Sequence, residues 1–185
     1  MIEEVLRDAK ERMEKTLVKT QSELGSVRTG RANPSLLDVV RVNYYGSTVP
    51  LKQVANIGVP EPRLITVQPW DRNLLSEIEK AIMKADLGIT PNNDGHIIRL
   101  PIPTLTEERR KDLVRLIHQL GEEGRIAVRN IRRDGIDHLK KAQREHTISE
   151  DEEYNGSIDL QELTDEYIEK IDESISSKES EVMEV

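Results

Sequence analysis

The 185-residue chain has no cysteine and no phenylalanine, and its aromatics are one tryptophan and four tyrosines. Without cysteine there is no disulfide framework, no thiolate metal site and no cysteine nucleophile, a composition compatible with a reducing compartment. Aromatics at 3% leave the packing to Leu, Ile, Val, Ala and Met, which favours helix against helix over an aromatic-rich β core. No stretch approaches the ~18 consecutive apolar residues of a membrane span, and residues 1–10 lack the apolar core of an export signal. A soluble cytoplasmic protein without membrane association is expected. Also missing are the motifs G-x-x-x-x-G-K-[ST], G-x-G-x-x-G and G-x-S-x-G, which cradle phosphates or present a nucleophile. His96, His118, His138 and His146 have no H-x-x-x-H spacing, so neither a metal nor another cofactor is expected. Acidic pairs such as Glu107-Glu108 and Glu152-Glu153 fall at helix starts, where the helix dipole accounts for them. The reading is of a protein that is not an enzyme.

What is present is long helical periodicity. Ile2, Leu6, Ala9, Met13, Leu17, Thr20, Leu24 and Val27 recur at spacings of three and four, predicting a helix over residues 2–28. The pattern stops near Gly30, and Pro34 biases Asn33 out of the helical region. Residues 35–100 have another texture. Strands are predicted at 39–45, 54–57, 64–67 and 96–100, with a helix over 74–85 and Gly88 as its cap. Trp70 is expected in the core or at an edge of this part. Pro101 and Pro103 mark a second, stiff break. Thr106 then caps a helix running to about residue 144, the third along the chain, and Ser149 with Glu152 fits the capping box of a last helix. No one of the three long helices can bury its apolar stripe alone, and together they can. The fold class expected is α+β: a long three-helix bundle (residues 1–30 and 105–185) carrying an inserted β/α/β domain (31–104). Two connections, near residues 29–34 and 101–105, would form a hinge through Gly30, Pro34, Pro101 and Pro103.

The formal net charge of −8 argues by itself against a nucleic-acid partner, but the charge is unevenly placed. Residues 109–144 carry eleven Lys or Arg against five Asp or Glu, whereas residues 145–185 carry two against fifteen. On a helical wheel, Lys111, Arg125, Arg129, Arg132, Arg133 and Lys140 fall within about 100° of one another. Residues 111–140 would span ~45 Å of helix, a length suited to a polyanion. Arginine predominates, and its planar fork matches phosphate in a way that lysine does not. Glu122 can reach Arg125 or Arg129 only at the ridge's edge. Two plainer readings stay open: a charged helix exterior, or a basic helix paired with the acidic last helix inside the bundle.

Several segments resemble a known family closely. They are Arg28-Thr29-Gly30-Arg31-Ala32-Asn33-Pro34-Ser35-Leu36-Leu37-Asp38, Tyr44-Tyr45-Gly46, Asp86-Leu87-Gly88-Ile89, Leu105-Thr106-Glu107-Glu108-Arg109-Arg110-Lys111 and Val128-Arg129-Asn130-Ile131-Arg132-Arg133. In order and spacing, from end to end, the chain is similar to the ribosome recycling factors. It departs from them at Gly135-Ile136, where a helix-favouring or polar pair is common, and at Thr104, where proline is frequent. The resemblance implies an L-shaped, hinged, monomeric molecule that acts after termination. With elongation factor G and GTP it would release ribosomes from mRNA by splitting them into subunits, the GTP hydrolysis belonging to the partner. It further implies that Arg129, Arg132 and Arg133, with Arg110 at the start of the same helix, contact RNA of the large ribosomal subunit. Arg125 lies on the same ridge, and Arg28 and Arg31 in the hinge motif are the next candidates. Two other functions remain: an adaptor presenting its acidic helix to a protein, and an enzyme with a site between domains, for which no nucleophile or acid–base pair is evident.

Overall fold

The computed structural model describes residues 1–184; Val185, the last residue of the expected bundle, lies outside them. The described chain divides into two compact units, one of Met1–Thr29 with Thr106–Val185 and one of Gly30–Leu105.

The first unit is three helices: α1 (Ile2–Gly25), α3 (Glu107–Arg144) and α4 (Glu150–Met183). The spacing in α1 places Ala9, Met13, Leu17, Thr20 and Leu24 on the buried face. The helix stops three residues before the expected end, yet Val27 and Thr29 beyond it stay buried, and the Thr29 hydroxyl donates to Glu181 at 3.3 Å. At the start of α3 the Thr106 hydroxyl accepts from the Arg109 amide at 3.1 Å. Its C-terminus is closed by two bonds, His146 N–H to Gln143 C=O (3.0 Å) and Thr147 N–H to Ala142 C=O (2.9 Å), with His146 at φ +57°. This is the reversal usually given to glycine. Two residues later the expected capping box forms: the Ser149 hydroxyl accepts from Glu152 N–H at 3.1 Å, and Glu152 accepts from Ser149 N–H at 2.7 Å. Those bonds hold the Glu152 carboxyl below its ordinary pKa.

Because so few aromatics are available, the bundle core is aliphatic, with Met13, Ile117, Leu139, Leu160 and Ile171 fully buried around one tyrosine, Tyr167. The Tyr167 hydroxyl donates to Glu14 at 2.7 Å. Burial, then that bond, pushes its pKa up to about 12. Four glycines set how closely the helices approach. A Cβ at Gly121 would lie 2.1 Å from Ile175, at Gly124 2.6 Å from Thr20, at Gly135 2.9 Å from Leu160 and at Gly156 2.9 Å from Leu139. These contacts make α3 antiparallel to α1 and α4. They also correct the expectation that Gly135 softens the helix. The ~1 kcal/mol of lost propensity is real, but α3 runs unbroken because Leu160 occupies the space a side chain would need.

The second unit holds a hairpin of β1 (Arg41–Tyr44) and β2 (Ser47–Pro50), and a four-stranded antiparallel sheet ordered β3-β4-β6-β5. The sheet strands are β3 (Ala55–Glu61), β4 (Leu64–Pro69), β5 (Asn92–Asn93) and β6 (Ile98–Pro101), and α2 (Leu75–Lys84) packs with them. Tyr45 (φ +48°) and Gly46 (φ +91°) both take the left-handed conformation that a two-residue hairpin turn requires. Val42, Leu51, Ile65, Val67, Ile78, Ile82, Ile98 and Leu100 form the core. Three details differ from expectation. Strands β2 and β5 were not anticipated, being short, with β5 exposed and β2 at most half-buried. The α2 helix ends at Lys84, with Asp86 (φ +49°) rather than Gly88 making the reversal. Trp70 is 69% exposed instead of packed, since Val67 and Pro69 of the same strand take the inward positions.

Both connections are anchored to one turn of this unit: Ala32 N–H bonds Pro62 C=O at 2.7 Å, and Ile102 N–H bonds Arg63 C=O at 2.8 Å. Gly30 is at φ +77°, and a Cβ there would meet Leu105 at 3.1 Å. Pro34 starts a short helical turn (Pro34–Leu37) capped by the Asn33 side chain, and Pro101 is the last residue of β6 paired with Leu64.

Candidate nucleic-acid interface

The basic ridge lies on α3, a rod of about 57 Å at the usual rise for its 38 residues. Its cations are treated very differently by their neighbours. Arg125 is drawn into the bundle: Nε and Nη2 donate to Asp172 Oδ1 of α4 at 2.8 and 2.6 Å, and Nη1 donates to Glu122 at 3.0 Å. Its side chain is only 22% exposed. Burial disfavours the charge, but the bonds to Asp172 and Glu122 outweigh it and hold the pKa above the ordinary value. Arg129 donates to the other oxygen of Glu122 at 3.3 Å. Bonds from Arg125, then Arg129, hold Glu122 below the usual carboxylate range. Glu122 is therefore a shared partner of both arginines and not a marginal one. Arg125, expected on the open ridge, is instead neutralised, because the antiparallel α4 brings Asp172 opposite it.

Further along, the pairing ends. Arg132 has no carboxylate partner among the described residues; its Nη1 donates to the neutral amide oxygen of Gln161 at 2.9 Å, and its Nε is buried without an acceptor. Arg133 is exposed and makes no bond among the described residues. Its sequence neighbour Asp134 is taken by Arg12 of α1 at 2.8 Å. At the other end of α3, Arg110 has a buried Nε without an acceptor, and Glu107, within reach in sequence, pairs with Lys111 at 3.4 Å instead. Of the two hinge-motif arginines, Arg28 belongs to the first unit, exposed and unbonded among the described residues. Arg31 is exposed in the second unit and is not a free cation.

Sequence reasoning missed Gln161. It donates through Nε2 to Asp165 at 2.8 Å while accepting from Arg132, so it connects an acid of α4 to the ridge without neutralising it. The one available signal is compositional: it is the only glutamine in the acidic segment 145–185.

An arginine-bearing helix joined to a small sheet domain by two short connections agrees with the family signature. The model for "Ribosome recycling factor" matches residues 20–183. The chain belongs to the ribosome recycling factor family. Among similar relatives, the ribosome-recycling factor of Natranaerobius thermophilus is 52% identical over 181 residues, covering 98% of both chains. That of Bacillus subtilis is 53% identical over 185 residues and the full length of both. The solution structure of a ribosome recycling factor superposes with a TM-score of 0.74 at 41% identity, covering all of this chain and 98% of that one. A second structure has a TM-score of 0.65 at 47% identity, over all of both chains. It comprises models for the T. thermophilus ribosome recycling factor and the E. coli elongation factor G bound to the E. coli post-termination complex. No helix of the described residues is long and apolar enough to cross a membrane.

Proposed function

We propose that this chain, a cytoplasmic monomer with no catalytic group of its own, binds RNA of the large ribosomal subunit through α3. With elongation factor G and GTP it then splits the post-termination ribosome into subunits. The observation that carries this reading is that Arg132, Arg133 and Arg110 have no carboxylate partner on a helix whose other arginines, Arg125 and Arg129, are paired with Glu122. Unpaired guanidinium groups on a stiff helix suit RNA that is read by shape and backbone. Arg28 and Arg31 extend the same surface toward the connections. The insert swings at Gly30 and Pro34 on one connection and at Pro101 and Pro103 on the other, and receives the push from elongation factor G. The bundle serves as the arm that disrupts contacts between subunits, and the GTP is hydrolysed by the partner.

Polysome splitting with purified elongation factor G and GTP, with and without this chain, tests the activity; no subunit release above the control refutes it. Binding to large subunits across a salt series tests the interface. Arg132→Ala should weaken binding roughly tenfold and lower the salt slope by about one unit, as loss of one phosphate contact does. Unchanged affinity and slope would remove the ridge from the mechanism. A chain that stays in the supernatant with ribosomes at low salt would favour the adaptor.

A further inference from the structure

Arg132 is the only arginine among the family-matched four of α3 that is held by a neutral side chain. Gln161 lies opposite it on α4, accepting from Nη1 at 2.9 Å and donating to Asp165 Oδ1 at 2.8 Å. We propose that Gln161, oriented by Asp165, is a positioning residue for Arg132 that fixes the guanidinium without cancelling its charge. This rests on the reading of α3 as the RNA-binding face.

The chemistry allows one arrangement of the amide. A carboxamide has a donor end and an acceptor end. Turned over, it would set its NH₂ against the guanidinium N–H groups and its oxygen against the Asp165 carboxylate, losing both bonds. The acceptor end is therefore committed to Arg132 by the acid behind it. With Nε buried and Nη1 bonded, Nη2 is the nitrogen left without a bond among the described residues, and it is the one available to a phosphate oxygen. A free arginine loses side-chain entropy when it docks on RNA; one already held loses less. The alternative occupants of position 161 fail for opposite reasons. A carboxylate would pair with Arg132 as Asp172 pairs with Arg125, and would face the like charge of Asp165. An apolar residue would leave Nη1 without its partner.

The test is a double-mutant cycle on large-subunit binding, using the full-length chain and purified subunits. Arg132→Ala should weaken binding roughly tenfold and reduce the salt slope. Gln161→Leu should weaken it by about fivefold, the effect of one hydrogen bond to a charged group, and leave the slope unchanged because the cation remains. Gln161→Glu should weaken binding and also lower the slope. In the Arg132→Ala background, Gln161→Leu should have no further effect. Thermal unfolding of each variant separates these changes from loss of fold, since position 161 is exposed. If Arg132→Ala weakens binding while Gln161→Leu does not, or if the two effects add, the positioning role is overturned and the ridge stands. If Arg132→Ala has no effect, the reading of the ridge itself fails.

Discussion

Two stretches of α3 carry similar numbers of arginines and have opposite fates. Over residues 122–129, Arg125 and Arg129 are bonded to Glu122, and Arg125 is also clamped by Asp172. Over residues 132–141, Arg132 meets only a glutamine and Arg133 meets nothing among the described residues. The difference comes from the facing helix. Where α4 presents Asp172, the cation joins α3 to α4; where it presents Gln161, the cation stays charged and outward. Formal charge along a helix thus overstates what a polyanion would encounter, and the opposing helix decides how much remains.

The comparison can be broken most severely from beneath. Leu160, fully buried, packs onto Gly135 beside Arg132 and next to Gln161. Leu160→Ala should cost about 2–5 kcal/mol, read from denaturant unfolding. A single transition would show both stretches sharing one cooperative bundle. A smaller effect separates the stretches directly. Arg133→Ala should weaken subunit binding severalfold with a lower salt slope, whereas Arg125→Ala should leave that slope unchanged and reduce stability by ~1 kcal/mol. Equal effects on binding would erase the distinction. The smallest effect is in acid. Folding holds Glu122 below its ordinary pKa of 4.5, so its contribution is present above that value and is lost as pH falls through the lowered folded pKa. Glu122→Gln should therefore flatten the fall in melting temperature between neutral pH and the acid range, relative to the parent chain.

Elements that follow one strong period were legible in advance. The stripes of α1, α3 and α4 and the Ser149–Glu152 cap all follow from local spacing, as does α2. The short strands β2 and β5 were not, because neither has an alternating apolar face. Trp70 was misplaced because a large apolar side chain suggests burial, while its position on β4 is outward. The early end of α1 and the reversal at Asp86 differ from expectation by a few residues at helix ends, where local preferences are weakest. For the interface, the cations could be read from α3 by itself. Which of them stay unpaired could not, since that depends on Asp172, Gln161 and Arg12, each on another helix. The role of Gly135 was hidden in the same way: a cost in one helix is the footprint of Leu160 from its neighbour.

The tight link between α3 and α4, closed at His146 and capped at Ser149, has a consequence for the facing side chains. It leaves no slack, so it sets the phase of one helix against the other. Inserting a single residue there would turn α4 by about 100° and advance it by ~1.5 Å. Gln161 would then swing away from Arg132, and Asp172 from Arg125, in the same step. A five-residue spacer at the tip thus fixes, tens of ångströms along the rod, which guanidinium groups are sheathed and which are bare.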